Sequence, residues 1–139
     1  MESISKYFTR KEALWLPQWK REANESDGLN PEILSNIKDL FARLDKVREY
    51  FQVAIIIHIT YRPLAYNKLV GGAPKSAHTV GKAVDFHVSN LNCDVARDKI
   101  LKDNKLVEWN MRMENNKGGS WIHLDTYPAL SDSHRFFIP

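Results

Sequence analysis

Apolar positions recur at helical spacing over one long stretch of the chain and alternate over several short ones. After Asn30 and Pro31, the residues Ile33, Leu34, Ile37, Leu40, Phe41, Leu44, Val47, Tyr50 and Phe51 fall on one face of a helix, with Lys38, Asp39, Arg43, Asp45 and Lys46 opposite. Asn30 is placed to cap that helix, and Pro31 suits its first position, where the missing N–H would have no partner. A shorter helix is expected to open at Thr9, whose spacing to Glu12 is that of a capping box, and to kink or end at Pro17. From Val53 to Thr60 the chain turns β-branched, with Ile55, Ile56 and Ile57 in a row, which predicts a strand buried on both faces. Residues 61–77 contain Pro63, Gly71, Gly72 and Pro74 without periodicity, which predicts a long surface loop. Alternation returns at 83–88, where Val84, Phe86 and Val88 share a face and Asp85 points away from it. Asn92 is placed to cap a short helix through Val95, Ala96, Ile100 and Leu101. A hairpin is then expected: Val107, Trp109, Met111 and Met113 alternate, 115–119 is turn-rich, and 120–126 puts Trp121, His123 and Asp125 on one face with Ile122 and Leu124 on the other.

Composition narrows what such a chain can be. At 139 residues with 43% apolar content, one core is the expectation, and residues 1–139 are read as a single monomeric domain. The longest apolar run, from Val53 to Ile59, is interrupted by His58 and falls far short of the ~20 residues of a membrane span. The start lacks a basic segment followed by an apolar one, so synthesis without a secretory signal, in the cytoplasm, is expected. A net charge of +3, spread without clusters, argues against a nucleic-acid partner. The lone Cys93 can form neither an intrachain disulfide nor a cysteine-based zinc site, so any metal must be held by His, Asp or Glu.

Polar side chains inside apolar strand pattern mark the candidate chemistry. They lie in three segments: Thr60 to Pro63, Ser76 to Asp85 and Trp121 to Asp125. His78, Asp85 and His123 offer two imidazoles and one carboxylate, a tripod suited to catalytic zinc with its fourth position open to water. One anionic ligand leaves the complex positively charged, and the chemistry that follows is hydrolysis. His58, His87 and His134 are read as ordinary polar residues.

Ser76, His78, Gly81, Ala83 and Asp85, in the pattern S-x-H-x-x-G-x-A-x-D, followed later by Trp121-Ile122-His123, resemble the zinc peptidases of the M15, D-alanyl-D-alanine carboxypeptidase type, which share a fold with the hedgehog signalling domain. The opening Tyr7 to Glu12, the long helix, Tyr61-Arg62-Pro63 and the loop with Asn67, Gly71 and Gly72 extend the likeness over most of the chain. The resemblance implies an α+β fold: a small, mainly antiparallel sheet with helices packed on one face and the zinc site on the other. It implies His78, Asp85 and His123 as zinc ligands, Arg62 holding or polarising the substrate carbonyl, and Ser76 and Asn67 shaping the substrate site. Some members place the catalytic acid three residues before the last His, where this chain has Ser120; others place a Glu at the end of the preceding strand, where this chain has Glu114. A loop of even length would put Glu114 on the His123 side of the sheet. Asp125 is the alternative base, or a partner orienting a ligand imidazole. The activity implied is hydrolysis of peptide bonds in bacterial peptidoglycan stem peptides, as a carboxypeptidase or endopeptidase of the phage endolysin type reaching the wall after release or as a virion component. The alternative is a non-catalytic zinc-containing binding module of the hedgehog-like fold.

Overall fold

The computed structural model describes residues 2–138. Local signals set the first elements. Helix α1 (Arg10–Leu14) opens with a capping box, in which Thr9 accepts from the Glu12 amide and Glu12 accepts from the Thr9 amide, and it ends before Pro17. Strands β1 (Trp15–Leu16) and β2 (Arg21–Glu22) make a small separate hairpin. Helix α2 (Pro31–Phe51) begins as its sequence requires, with the Asn30 side chain accepting from the Ile33 amide and Pro31 in the first turn. It stops at Gln52, whose left-handed conformation breaks the helical path (φ 59°).

The remaining elements are β3 (Ile55–Ile59), α3 (Leu64–Leu69), β4 (Ala83–Val88), α4 (Cys93–Lys102), α5 (Lys105–Trp109), β5 (Arg112–Glu114), β6 (Ile122–Asp125) and β7 (Phe136–Phe137). They build a five-stranded sheet in the order β3-β4-β6-β5-β7. All neighbours are antiparallel except β5 and β7. The chain is therefore α+β, with a mainly antiparallel sheet. Period-two alternation divides the two faces: Val84, Phe86, Val88, Met113, Ile122 and Leu124 enter one core cluster with Ile37, Leu40, Phe41, Leu44 and Val47 of α2. Asp85, His87, His123, Asp125, Arg112 and Glu114 occupy the alternate positions.

Three local expectations are corrected. β3 is an edge strand buried on one face only, because Ile55 and Ile57 pair with core-facing Val88 and Phe86 while Ile56, opposite His87, is 44% exposed. The loop expected over 61–77 contains α3, whose buried Tyr66 and Asn67 face the protein. The strand expected from Val107 begins only at Arg112. Leu106 and Trp109, one helical turn apart and both buried, decide for α5, and Asn104 and Asn110 bracket it in left-handed conformations. The alternation of Val107, Trp109, Met111 and Met113 is compatible with a strand, but the burial of the helical pair overrides it.

Gly81 joins the helix to the site. It ends the 3-10 turn Ala77–Val80 that carries His78, at φ +75°, and a Cβ there would meet Ile37 Cγ1 at 2.7 Å and the Ile33 carbonyl oxygen at 3.0 Å. Both the backbone conformation and the close approach of α2 require glycine. Gly81→Ala is expected to cost about 2 kcal/mol of stability, a value checked by urea denaturation.

Candidate metal centre

Three elements converge on Asp85. The residue stands in the middle of β4, directly opposite His123 of β6, and its carboxylate is 88% shielded from solvent in its side-chain surface. The Ser76 side chain accepts from the His78 amide and starts the turn that carries His78. His78 Nε2 lies 3.2 Å from Asp85 Oδ1, and His123 Nδ1 lies 2.9 Å from the same oxygen. Donor atoms of the three residues all fall within 4.8 Å of one another. In a tetrahedral site with bonds of 2.0–2.1 Å, donors stand about 3.3 Å apart, a spacing that the two separations between the imidazoles and Asp85 approach.

The outer nitrogens fix which atoms face inward. His78 Nδ1 is 2.7 Å from the Thr60 carbonyl oxygen; a carbonyl only accepts, so Nδ1 carries the proton and Nε2 offers its lone pair to the centre. His123 Nε2 donates to Asp125 Oδ2 at 3.1 Å, leaving Nδ1 to the centre. Asp125, 1% exposed, is fully occupied: Arg112 donates to both of its oxygens at 2.8 and 2.9 Å, and the Tyr127 amide donates to Oδ1. Each imidazole is thus held by a second partner, as metal-ligating histidines generally are.

Electrostatics follow from this arrangement. Burial opposes ionisation of Asp85, but hydrogen bonds from His123 and His78, and their charge, outweigh it and hold the carboxyl well below the usual carboxylate range. Burial likewise lowers the His123 pKa, yet its bonds to Asp125 and Asp85 prevail and push it up to about 9. Asp125 is also held below the ordinary value: burial works against it, and His123 and Arg112 work more strongly for it.

The other candidate residues divide by position. Extending the β5–β6 register, in which Arg112 is opposite Asp125 and Met113 opposite Leu124, sets Glu114 across from His123 rather than Trp121, and its Oε2 comes within 3.9 Å of His123 Nδ1. The expected face is correct, with the partner moved by two residues. The Arg62 guanidinium is 3.8 Å from Asp85, and its buried Nε has no hydrogen-bond partner. Arg62, Ser76, Glu114 and Asp125 line a cavity of about 380 Å³ together with the three candidate ligands. Asn67 lies outside that cavity: its side chain donates to the Ala73 carbonyl, and Gly72 passes so close that a Cβ there would strike the Asn67 amide. Asn67 secures the loop leading to Ser76.

Sequence reasoning passed over four contributors. Arg112 lies on the Glu114 face of β5, so strand parity could have paired it with Asp125. Phe137 and Lys75 also line the cavity, and no motif marks them. Buried Arg97 of α4 donates to the Trp121 carbonyl at 2.7 Å and to Asn116, and is paired with Asp94, which itself accepts from the Gly118 amide. His58 and His87 form a separate hydrogen-bonded pair, 2.7 Å between ring nitrogens, where the β3 register slips.

The Peptidase M15 family model matches residues 7–125, the span that contains all three candidate ligands. The chain belongs to the M15 peptidase family. No curated protein and no solved structure matches it. M15 peptidases are typically metal-dependent, which agrees with the donor set of His78, Asp85 and His123. Among the described residues, no helix of this M15 chain is long and apolar enough to cross a membrane.

A pH dependence of the metal-free protein follows. The His123 pKa is raised on folding from 6.5 to about 9, so its contribution to stability is fully present below pH 6.5 and is lost as pH rises through 9. Chelator-treated protein should show a denaturation midpoint that falls between pH 6.5 and 9.5, and His123→Gln should flatten that part of the profile.

Proposed function

We propose that this M15 chain is a zinc peptidase that hydrolyses peptide bonds in bacterial peptidoglycan stem peptides, in the manner of a phage endolysin. The observation that carries the reading is the convergence of His78 Nε2, His123 Nδ1 and Asp85 in one cleft with Glu114 on one side and Arg62 on the other. Substrate class rests on the family resemblance of the motif Ser76 to Asp85 and of Trp121 to His123. Zinc rests on the two-imidazole, one-carboxylate donor set, which suits an ion of tetrahedral preference with one position left open.

His78, Asp85 and His123 would hold the ion, which when bound supplies Lewis-acid chemistry, polarising the scissile carbonyl and acidifying the attacking water. Glu114 is the general base. Its carboxylate is part-exposed within the cleft and free of the cation that occupies Asp125, so it can take a proton from the attacking water and return it to the departing amine. Arg62 donates to the oxygen that gains negative charge as the carbonyl becomes tetrahedral; its unpartnered Nε and its distance from Asp85 leave it donors to spare. Asp125, saturated by Arg112 and Tyr127, orients His123 rather than moving protons. Ser76 shapes the site through the turn that presents His78.

Three substitutions separate these roles. Glu114→Gln should reduce hydrolysis of purified peptidoglycan by about 10²- to 10⁴-fold while one equivalent of zinc remains bound. Arg62→Ala should lower kcat by about 10²-fold, again with zinc retained. Asp125→Asn should instead weaken zinc binding by about 10- to 100-fold. Mass spectrometry of the released peptides identifies the bond; zinc bound without any release would favour a binding module of the same fold.

A further inference from the structure

The chain beyond the family match returns to the site. Residues 126–138 lie outside the matched span, yet they lay β7 parallel on β5, with the Asn115 amide donating to the Phe137 carbonyl at 2.6 Å and the Met113 amide to the Arg135 carbonyl at 2.7 Å. This pairing brings Phe137 beside Glu114 and sets its ring edge-to-face with His123, centroids 5.9 Å apart. The half-buried ring lines the same cavity as the candidate ligands. Tyr127, from the same terminal segment, also lines it.

The two ends of the cleft differ in chemistry. At the β3 side stand Arg62, with a donor unpartnered, and Lys75. At the β7 side the cation lining the cavity is Arg112, and its charge is engaged by both oxygens of Asp125 while its guanidinium lies 4.1 Å from the Phe137 ring centroid and 5.7 Å from that of Tyr127, whose ring also carries Lys82 at 5.4 Å. What this end offers a ligand is therefore aromatic surface beside the Glu114 carboxylate, with no unpaired cation among the residues that line the cavity there.

We propose that Phe137 forms an apolar subsite beside the metal ligands, taking an uncharged aliphatic part of the substrate on the β7 side and so determining specificity. The inference rests on the peptidase reading for the identity of the substrate, and on the metal centre for the position of the subsite. A substrate spanning the cleft would place its aliphatic part on Phe137 and any carboxylate toward Arg62 and Lys75. Desolvating two methylenes against the ring is worth about tenfold in affinity when they are largely buried.

Metal-directed probes test this without relying on turnover. Acetohydroxamate and butyrohydroxamate share a chelating head and differ by two methylenes, so the ratio of their affinities for zinc-loaded protein, measured by calorimetry, reads the subsite. The wild type should prefer butyrohydroxamate by about tenfold; Phe137→Ala should bring the ratio to within about twofold of one, and Phe137→Leu, which keeps apolar bulk and guards against loss of β7, should retain most of it. An unchanged preference in Phe137→Ala, or no preference in the wild type, would overturn the subsite. A wild type that shows the preference but releases no peptide would leave the subsite standing and overturn the peptidase reading, so the two failures are distinct.

Discussion

A carboxylate buried in the middle of a sheet is the constraint around which this protein is organised. Asp85 sits on β4 with strands on both sides, where an unpaired charge would cost several kcal/mol. Its neighbours meet that cost: an imidazole from the adjacent strand, an imidazole from the preceding turn, and a guanidinium just beyond contact distance. Each of those groups needs a partner of its own, and the demand spreads outward through Thr60, Asp125 and Arg112. The same chain of requirements that makes the charge tolerable also aims two nitrogen lone pairs at one point.

The sheet supplies the precision for this arrangement. Its alternate positions send Val84, Phe86, Ile122 and Leu124 into the core and Asp85, His123 and Asp125 to the other side, so the packing that locks the strands also locks the polar groups. Register matters more than proximity in sequence. Moving β5 by one residue against β6 would exchange Glu114 and Arg112 for Met113 on the polar face and put a charge into the core. The hydrophobic alternation of β5 and β6 therefore does two jobs at once, and the Arg112 pair with Asp125 marks the register it selects.

Much of this was legible from residues whose signals are local. Thr9 with Glu12, Asn30 with Pro31, and Asn92 each announced a helix start that the structure has, because a cap depends on a few neighbouring amides. Asp85 and His123 could be assigned to the polar face by parity alone. Features that depend on partners far along the chain were harder. Ile55 to Ile57 looked doubly buried because nothing local says that β3 lies at an edge. Leu106 and Trp109 outweighed a strand-like alternation only through the core they enter. Phe137 and Arg97 carried no motif, since their roles arise from a pairing and a burial that the sequence does not spell out.

Arg97 gives the loop between β5 and β6 a definite mechanical character. With its guanidinium 3% exposed and shared among Asp94, Asn116 and the Trp121 carbonyl, swinging that loop away would strip a buried cation of its acceptors. The wall of the cleft that carries Trp121 is thus set when the chain folds, and no ordering of that wall remains to be done when a ligand arrives. Recognition along this wall is a matter of fit to a shape finished before the ligand arrives.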